Sequence, residues 1–245
     1  MRTYKLTIAY DGSKYQGWQK QGNTSLTIQG MLESVVEKVV GYYVPVNGSG
    51  RTDRGVHAKG QTASIVLAGM IDTHEFMCNI NEQLPSDIQI LQVDLVKNGF
   101  HARLGAKGKC YEYWLDLREK PEVFTRKYTY HFPKKLQISE MKKAASFLVG
   151  EHDFKAFTDK KDEKSTIRCI YDIKIEEYGS KIKIEYKGNG FMYHMIRIIT
   201  GTLLEVGDGR RKPEEVCTIL ESKKRGNAGF LVPARGLFLK EVYYE

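Results

Sequence analysis

An α+β fold with a mostly antiparallel sheet is predicted by two features of this 245-residue sequence. Apolar residues at alternate positions, which are typical of half-buried strands, interleave with stretches of helical apolar spacing. The regular Gly-rich βα turns of a nucleotide-binding parallel sheet do not occur between them. The length allows one large domain or two smaller ones. We expect two α+β domains, over residues 1–104 and 105–245.

In the first half, strands and helices alternate. Apolar residues at every second position from 6 to 10 predict a strand that ends at the turn of Asp11 and Gly12. Thr27 is a suitable N-cap for a helix, because apolar residues recur at helical spacing from there to Val40. The next predicted elements are a strand at 62–67, a helix at 73–84 and a strand at 88–96.

The second half repeats this mixture. Residues 111–117 predict a strand, with Tyr111 and Tyr113 on one face and Glu112 and Asp116 on the other. Gly179 and Ser180 fit a two-residue hairpin turn. The other predicted elements are a helix at 139–149, a solvated mobile loop at 159–164 and a helix at 191–204 that is apolar nearly all round.

The charge balance favours an anionic partner without proving one. The chain has 38 basic and 30 acidic residues, a formal net charge of +8. Residues 1–104 hold 10 basic and 9 acidic residues, and residues 105–245 hold the other 28 and 21. A basic second half with clusters at 210–212 and 223–225 suits a phosphate backbone, although many proteins of this charge bind nothing anionic. If the partner is a nucleic acid, its phosphates are expected to lie mainly along the second half.

Cysteine spacing and hydropathy indicate the compartment. The four cysteines are far apart and form no Cys-x-x-Cys pair, as expected for reduced thiols. No apolar run approaches the ~20 residues of a membrane span, and the N-terminal strand lacks the apolar core of a signal peptide. We therefore expect a soluble cytoplasmic protein with no membrane partner.

The loop at residues 48–60 is the strongest functional signal. It contains one carboxylate, Asp53, between Arg51 and Arg54 and among four glycines. Glycines let another surface approach the backbone, and flanking guanidinium groups favour an ionised carboxylate. This pattern fits a loop that presents an anionic nucleophile to a polyanionic ligand. By itself it also fits a surface turn that the aspartate caps.

The apolar helix predicted at 191–204 contains two polar residues. His194 and Arg197 are three positions apart, which places them on one face of that helix. A buried arginine is costly unless it is paired. Arg197 therefore either extends to the rim or pairs with a carboxylate across a cleft, for which Asp53 is the candidate.

Two tyrosines near basic residues allow two interpretations. Tyr111 and Tyr113 alternate on the predicted strand, close to Lys107 and Lys109. Alternating aromatic residues are usually core side chains, but beside basic residues they also form platforms on which bases stack.

Other common chemistries have no support in the sequence. It contains no His-Glu-x-x-His, no Gly-x-Ser-x-Gly and no Lys-Ser/Thr of a phosphate-binding P-loop. A glycosidase needs two cooperating carboxylates, whereas only Asp53 lies in a loop of this character. We expect neither a metal ion nor a small-molecule cofactor.

The 48–60 loop resembles the catalytic loop of the TruA family of tRNA pseudouridine synthases. The family signature, Gly-Arg-Thr-Asp followed by Gly-Val-His, is present here from Gly50 to His57. The resemblance spans the whole chain, in order and with the family's spacing. The other matching segments are 10–21 with Gln29, 100–113, 150–157, 190–201 and 233–237.

This resemblance implies roles for four residues. Asp53 would be the catalytic aspartate, and Arg197 would form an ion pair with it. Tyr111 would contact the target base, and Arg51 would fill the space left when the target nucleotide flips out. The resemblance leaves open whether Asp53 adds covalently to the substrate or removes a sugar proton to form a glycal.

The family also implies an architecture and a substrate. Two RRM-like (ferredoxin-like) halves would flank a basic active-site cleft, and the protein would be a homodimer. The substrate would be the tRNA anticodon arm, at uridines 38 to 40, and isomerisation would need no redox cofactor or metal.

Two departures from the family pattern leave alternatives open. Arg54 replaces a small residue, and Phe230, Leu231 and Val232 replace the usual Thr-Ala before Pro233. We expect neither departure to touch the aspartate, the tyrosine or the arginine, although both could alter RNA preference. The alternatives are a TruA-like paralogue with another uridine target and a catalytically silent RNA-binding protein. The silent protein would not need the three site residues together.

Overall fold

A computed structural model describes residues 1–161 and 165–245. The loop predicted at 159–164 thus lies partly outside the described residues. The strands are β1 (Arg2–Tyr10), β2 (Asn47–Gly48), β3 (His57–Leu67), β4 (Ile88–Val96), β5 (Gly108–Asp116), β6 (Tyr130–His131), β7 (Gly150–Asp153), β8 (Ile167–Tyr178), β9 (Lys181–Gly188) and β10 (Leu237–Tyr243). The α-helices are α1 (Ile28–Val40), α2 (Thr73–Gln83), α3 (Ile138–Ser146), α4 (Met195–Gly207) and α5 (Glu215–Ser222).

The chain divides into two compact units. The first unit comprises Met1–Lys107 together with Phe238–Glu245, and the second comprises Gly108–Leu237. Residues 105–107 therefore differ from the expected division, which assigned all of 105–245 to one domain, and so do the last eight residues. These last eight residues join the first unit because β10 pairs in parallel with β3, with Phe238 opposite His57.

In the first unit, a mixed sheet carries the Asp53 loop. Its strands follow the order β4-β1-β3-β10, with β2 also paired to β3. β1 is antiparallel to both of its neighbours. Leu6 and Ile8 of β1 and Ile28 and Leu32 of α1 are almost completely buried in its core. Thr27 caps α1 as predicted, since its hydroxyl accepts a hydrogen bond from the N–H of Gly30.

The second unit has an antiparallel sheet in the order β5-β9-β8-β7, and β6 pairs in parallel with β5. The predicted hairpin is confirmed, because Tyr178 pairs with Lys181 and Gly179 adopts a φ of 60°. An α+β fold with mostly antiparallel pairing is thus present in both units. None of the described helices is long and apolar enough to cross a membrane.

One local prediction in the second unit was wrong. α4 begins at Met195 instead of residue 191, and His194 is its N-cap residue with a left-handed φ of 63°. His194 therefore does not share a helical face with Arg197. Both faces of β5 are buried, since Glu112 and Asp116 are 3% and 0% exposed. Hydrogen bonds from Trp114 and Arg118 compensate these two carboxylates.

Candidate functional site

Asp53 lies in the loop between β2 and β3, immediately before a tight turn. The backbone N–H of Val56 donates to the carbonyl oxygen of Asp53 at 3.1 Å, and Gly55 has a φ of 76°. Asp53 is half-buried, whereas Arg51 and Arg54 are exposed. The turn therefore presents the carboxylate at a partly open position between two solvent-facing cations.

Buried hydrogen bonds hold the residue before Asp53. The carbonyl oxygen of Thr52 accepts from the N–H of Trp18 at 3.1 Å, and its hydroxyl lies 2.8 Å from the Tyr10 hydroxyl. Burial raises the pKa of Tyr10 well above its ordinary value, so this hydroxyl stays neutral. These contacts fix the backbone on the N-terminal side of Asp53.

The start of the loop is held in the same way by Gln61 of β3. The Gln61 side-chain amide donates to the carbonyl oxygen of Gly50 at 3.1 Å. Its oxygen accepts from the Ser49 hydroxyl at 2.7 Å. Because Ser49 and Gln61 are almost completely buried, the loop is preorganised on rigid elements rather than free to move as a surface turn.

The segment at residues 12–18 forms the support behind the loop, a role that the sequence did not reveal. A Cβ atom on Gly12 would lie 2.0 Å from the carbonyl oxygen of Val56. One on Gly17, whose φ is 95°, would lie 2.6 Å from the carbonyl oxygen of Thr52. Both positions therefore require glycine. In the sequence, this segment only matched the family motif. The match does not show that Gly12 and Gly17 lie against the backbone of the Asp53 loop.

Tyr111 and Tyr113 lie on β5 in the second unit. Tyr113 is fully buried, and Tyr111 is 7% exposed. The Tyr111 ring meets Phe191 edge-on at a centroid distance of 5.4 Å and pairs across the strands with Tyr186. In this structure both tyrosines are thus packed side chains, and Tyr111 retains a small exposed edge.

Arg197 lies in the first turn of α4 and is half-buried. Its Nε donates to the carbonyl oxygen of Val232 at 2.8 Å, and the N–H of Val232 points back to the carbonyl oxygen of Arg197 at 3.5 Å. The expectation that residues 230–232 do not touch this arginine was therefore wrong. The contact forms because the extended segment at 229–233 lies directly against α4.

The same segment also fixes the second tyrosine. The Tyr113 hydroxyl donates to the carbonyl oxygen of Pro233 at 2.7 Å. Burial raises the pKa of Tyr113 well above its ordinary value, and the positive charges of Arg197 and Arg235 oppose this only in part. Tyr113 is thus a neutral donor that joins β5 to the segment that orients the arginine.

The structure places the four predicted site residues in two pairs. Asp53 and Arg51 share one loop of the first unit, while Tyr111 and Arg197 lie on β5 and α4 of the second. Among the residues that the structure describes, no group of His, Cys, Asp or Glu could hold a metal ion.

The basic clusters at 210–212 and 223–225 are interleaved with carboxylates. The Nε of Arg210 lies 2.8 Å from Asp208, and that of Arg211 lies 2.5 Å from Glu205. Lys223 pairs with Asp153 at 2.8 Å. The positive potential of these clusters is therefore smaller than the sequence suggests.

Comparison with known proteins places the chain in a family. A family model described as tRNA pseudouridine synthase matches residues 6–103 and 144–245. The chain is 46% identical over 245 residues to tRNA pseudouridine synthase A of Bacillus sp. (strain KSM-64). It is 44% identical over 247 residues to tRNA pseudouridine synthase A 2 of Clostridium perfringens and 43% identical over 245 residues to tRNA pseudouridine synthase A of Acetivibrio thermocellus. Each alignment covers 100% of both chains.

These matches identify the class of protein as an RNA-modifying isomerase. The chain belongs to the tRNA pseudouridine synthase family.

Proposed function

We propose that this chain converts uridine to pseudouridine at positions 38 to 40 of the tRNA anticodon arm, with Asp53 as its catalytic aspartate. The observation that carries the proposal is the loop from Gly50 to His57. It presents one carboxylate between two exposed arginines, on a backbone held by buried and partly buried hydrogen bonds. Full-length similarity to proteins named tRNA pseudouridine synthase A supports the same substrate.

The reaction is an isomerisation and needs no oxidant. The glycosidic bond between C1′ and N1 breaks, the base rotates, and C1′ bonds to C5. The proton on C5 is then lost and N1 gains one, so the atoms balance. Asp53 either adds to the substrate or removes the sugar proton that gives a glycal; both routes require the carboxylate to be ionised.

The remaining roles follow from family membership. Arg197 is proposed to pair with Asp53 and keep it ionised and oriented, and the hydrogen bond from Arg197 to Val232 supports a fixed guanidinium. Tyr111 is proposed to pack on the target base and assist proton removal from C5. Arg51, which is exposed, is proposed to occupy the stack that the flipped nucleotide leaves.

The proposed assembly is a cytoplasmic homodimer of two RRM-like (ferredoxin-like) halves around a basic cleft. The strand order β4-β1-β3 with β2 on the far side of β3 supports this topology for the first unit. The homodimer rests on the family resemblance.

The decisive test is Asp53→Asn, which keeps the shape of the side chain and removes its charge. We expect pseudouridine formation on tRNA to fall by at least about 10³-fold, in the range seen when a central catalytic group is lost, with tRNA affinity largely retained. Asp172→Asn, at a half-exposed carboxylate of β8, is the matched control. Near-normal turnover by the Asp53 variant would refute the assignment.

A double-mutant cycle with Arg197→Met tests the pair within the same assay. If Arg197 acts through Asp53, the arginine variant loses activity alone but adds almost nothing in the Asp53→Asn background. Additive losses would show that the two residues act independently.

Pseudouridine mapping in tRNA from a deletion strain checks the target. Loss of pseudouridine at positions other than 38 to 40 would favour the paralogue alternative.

A further inference from the structure

A polar cavity of about 480 Å³ lies in the second unit. Its described walls hold five cationic side chains against one carboxylate, that of Asp159. The hydroxyl residues Thr158, Ser165 and Thr166 complete the lining. The cations are Lys155, Lys160, Lys161, Lys223 and Arg225.

Within the described ranges 1–161 and 165–245, two carboxylates at or next to this cavity have cationic partners. Asp159 receives a hydrogen bond from the Nε of Arg225 at 2.8 Å, and its other oxygen lies 2.6 Å from Nδ1 of His194. Asp153 lies 2.8 Å from Lys223. Arg225 and Lys223 are thus paired, but five cations against two carboxylates still leave the described part of the wall with a positive excess. This excess attracts an anion into a space large enough for a phosphate and its sugar.

An exposed aromatic ring is connected to the same wall. Tyr193 is 47% exposed and stacks on His194 at a centroid distance of 3.7 Å. The hydroxyl of Thr158 donates to the carbonyl oxygen of Tyr193 at 2.9 Å. Solvent-facing aromatic rings beside cationic grooves bind single-stranded nucleic acid, because bases stack on the ring while cations follow the phosphates.

We propose that this cavity binds a backbone phosphate of the RNA substrate and that Tyr193 stacks on an adjacent base. The proposal rests on the proposed function and adds an RNA-binding subsite to it. Tyr193 and His194 directly precede α4, which carries Arg197 in its first turn. A nucleotide held here is thus bound next to the segment that positions the proposed partner of Asp53.

The phosphate contact is tested with Lys155→Gln/Lys161→Gln. Both lysines are exposed, so the variant should fold normally. We expect tRNA affinity to fall about 10-fold and the dependence of log affinity on log salt to become shallower by about one unit for each phosphate that the variant no longer binds. Turnover at saturating tRNA should be retained. The matched control is Lys135→Gln/Lys142→Gln, which removes two equally exposed charges outside the cavity.

The stacking contact is tested at Tyr193. Tyr193→Ala should raise the KM for tRNA about 10-fold, because the stacked base loses the aromatic surface that it contacts. Tyr193→Phe keeps the ring and should have the same KM for tRNA as the wild type. Equal KM values for the alanine variant and the wild type would overturn the stacking role.

The outcomes separate this proposal from the proposed function. If the wild type modifies tRNA and the cavity variant binds it like the control variant, the subsite is refuted and the catalytic assignment is unaffected. The binding of inorganic phosphate to the wild type and to the cavity variant is the second measurement. If the cavity variant loses phosphate binding in a calorimetric titration but keeps normal tRNA affinity, the cavity binds a free anion and the RNA proposal is refuted.

Discussion

Asp116, at the end of β5, is a fully buried carboxylate whose charge is balanced by one arginine. Nε and Nη2 of Arg118 donate to its two oxygens at 2.9 Å each, and the N–H of Glu122 adds a further bond at 3.2 Å. The hydrogen bonds from Arg118 lower the pKa of Asp116 to about 2. This network secures the chain after β5 to the sheet of the second unit.

The lowered pKa predicts a pH-dependent stability. The ionised carboxylate makes its full contribution to the free energy of unfolding above its unfolded pKa of 3.8. This contribution disappears as the pH falls through about 2. Asp116→Asn should therefore lower the free energy of unfolding by about 2 kcal/mol near neutral pH. The difference from wild type should shrink between about pH 4 and pH 2.

Denaturant unfolding across this pH range measures the effect, with Asp172→Asn as the control. A difference that stays constant down to the lowest pH would mean that the ion pair does not set the stability of β5.

At the scale of elements, α4 and the segment at 229–233 are packed backbone to backbone. A Cβ atom on Gly201 would lie 1.8 Å from the carbonyl oxygen of Phe230, and one on Gly229 would lie 2.5 Å from the nitrogen of Thr202. The Thr202 hydroxyl also accepts from the N–H of Gly229 at 2.9 Å. This close approach brings the carbonyl oxygen of Val232 within reach of Arg197.

Gly201→Ala tests whether this approach is required. Helix propensity favours alanine over glycine by ~1 kcal/mol, but the clash with Phe230 must displace backbone. We expect a net loss of about 1–3 kcal/mol in the free energy of unfolding, together with lower activity from a misplaced Arg197. Thermal unfolding and turnover are the measurements.

Gly190→Ala is the matched control for stability, because no atom lies within 4 Å of its added Cβ. It should change the free energy of unfolding by less than about 0.5 kcal/mol. A more stable Gly201→Ala protein would contradict the backbone contact.

Elements defined by local sequence were predictable, and contacts between distant segments were not. Thr27 as an N-cap and the turn at Gly179 depend on a few adjacent residues. The hydrogen bond from Arg197 to Val232 joins positions far apart in the chain, so no spacing indicates it. His194 was misassigned because an apolar run predicts a helix without showing where the first turn begins. The family motif predicts Asp53 as the catalytic aspartate, but only the fold reveals the contacts of Tyr10 and Gly17 with Thr52, the residue before it.

At the scale of the whole molecule, positive charge is concentrated in the second half but is partly neutralised where it clusters. Residues 105–245 hold 28 basic and 21 acidic side chains. In the cluster at 210–212, Arg210 is paired with Asp208 and Arg211 with Glu205, while Lys212 is exposed. The net charge of a segment therefore overstates the number of cations available to phosphate groups.

Neutralising Arg210, Arg211 and Lys212 together tests how this cluster binds tRNA. Phosphate binding releases counterions, so the slope of log affinity against log salt falls by roughly one for each phosphate that is no longer bound. Because two of the three cations already neutralise carboxylates, we expect a decrease of about one, with weaker binding across all tRNAs and normal turnover at saturation. Glu205→Gln combined with Arg211→Gln controls for the ion pair. A decrease near three would mean that RNA displaces the carboxylates, and an unchanged slope would place the docking surface elsewhere.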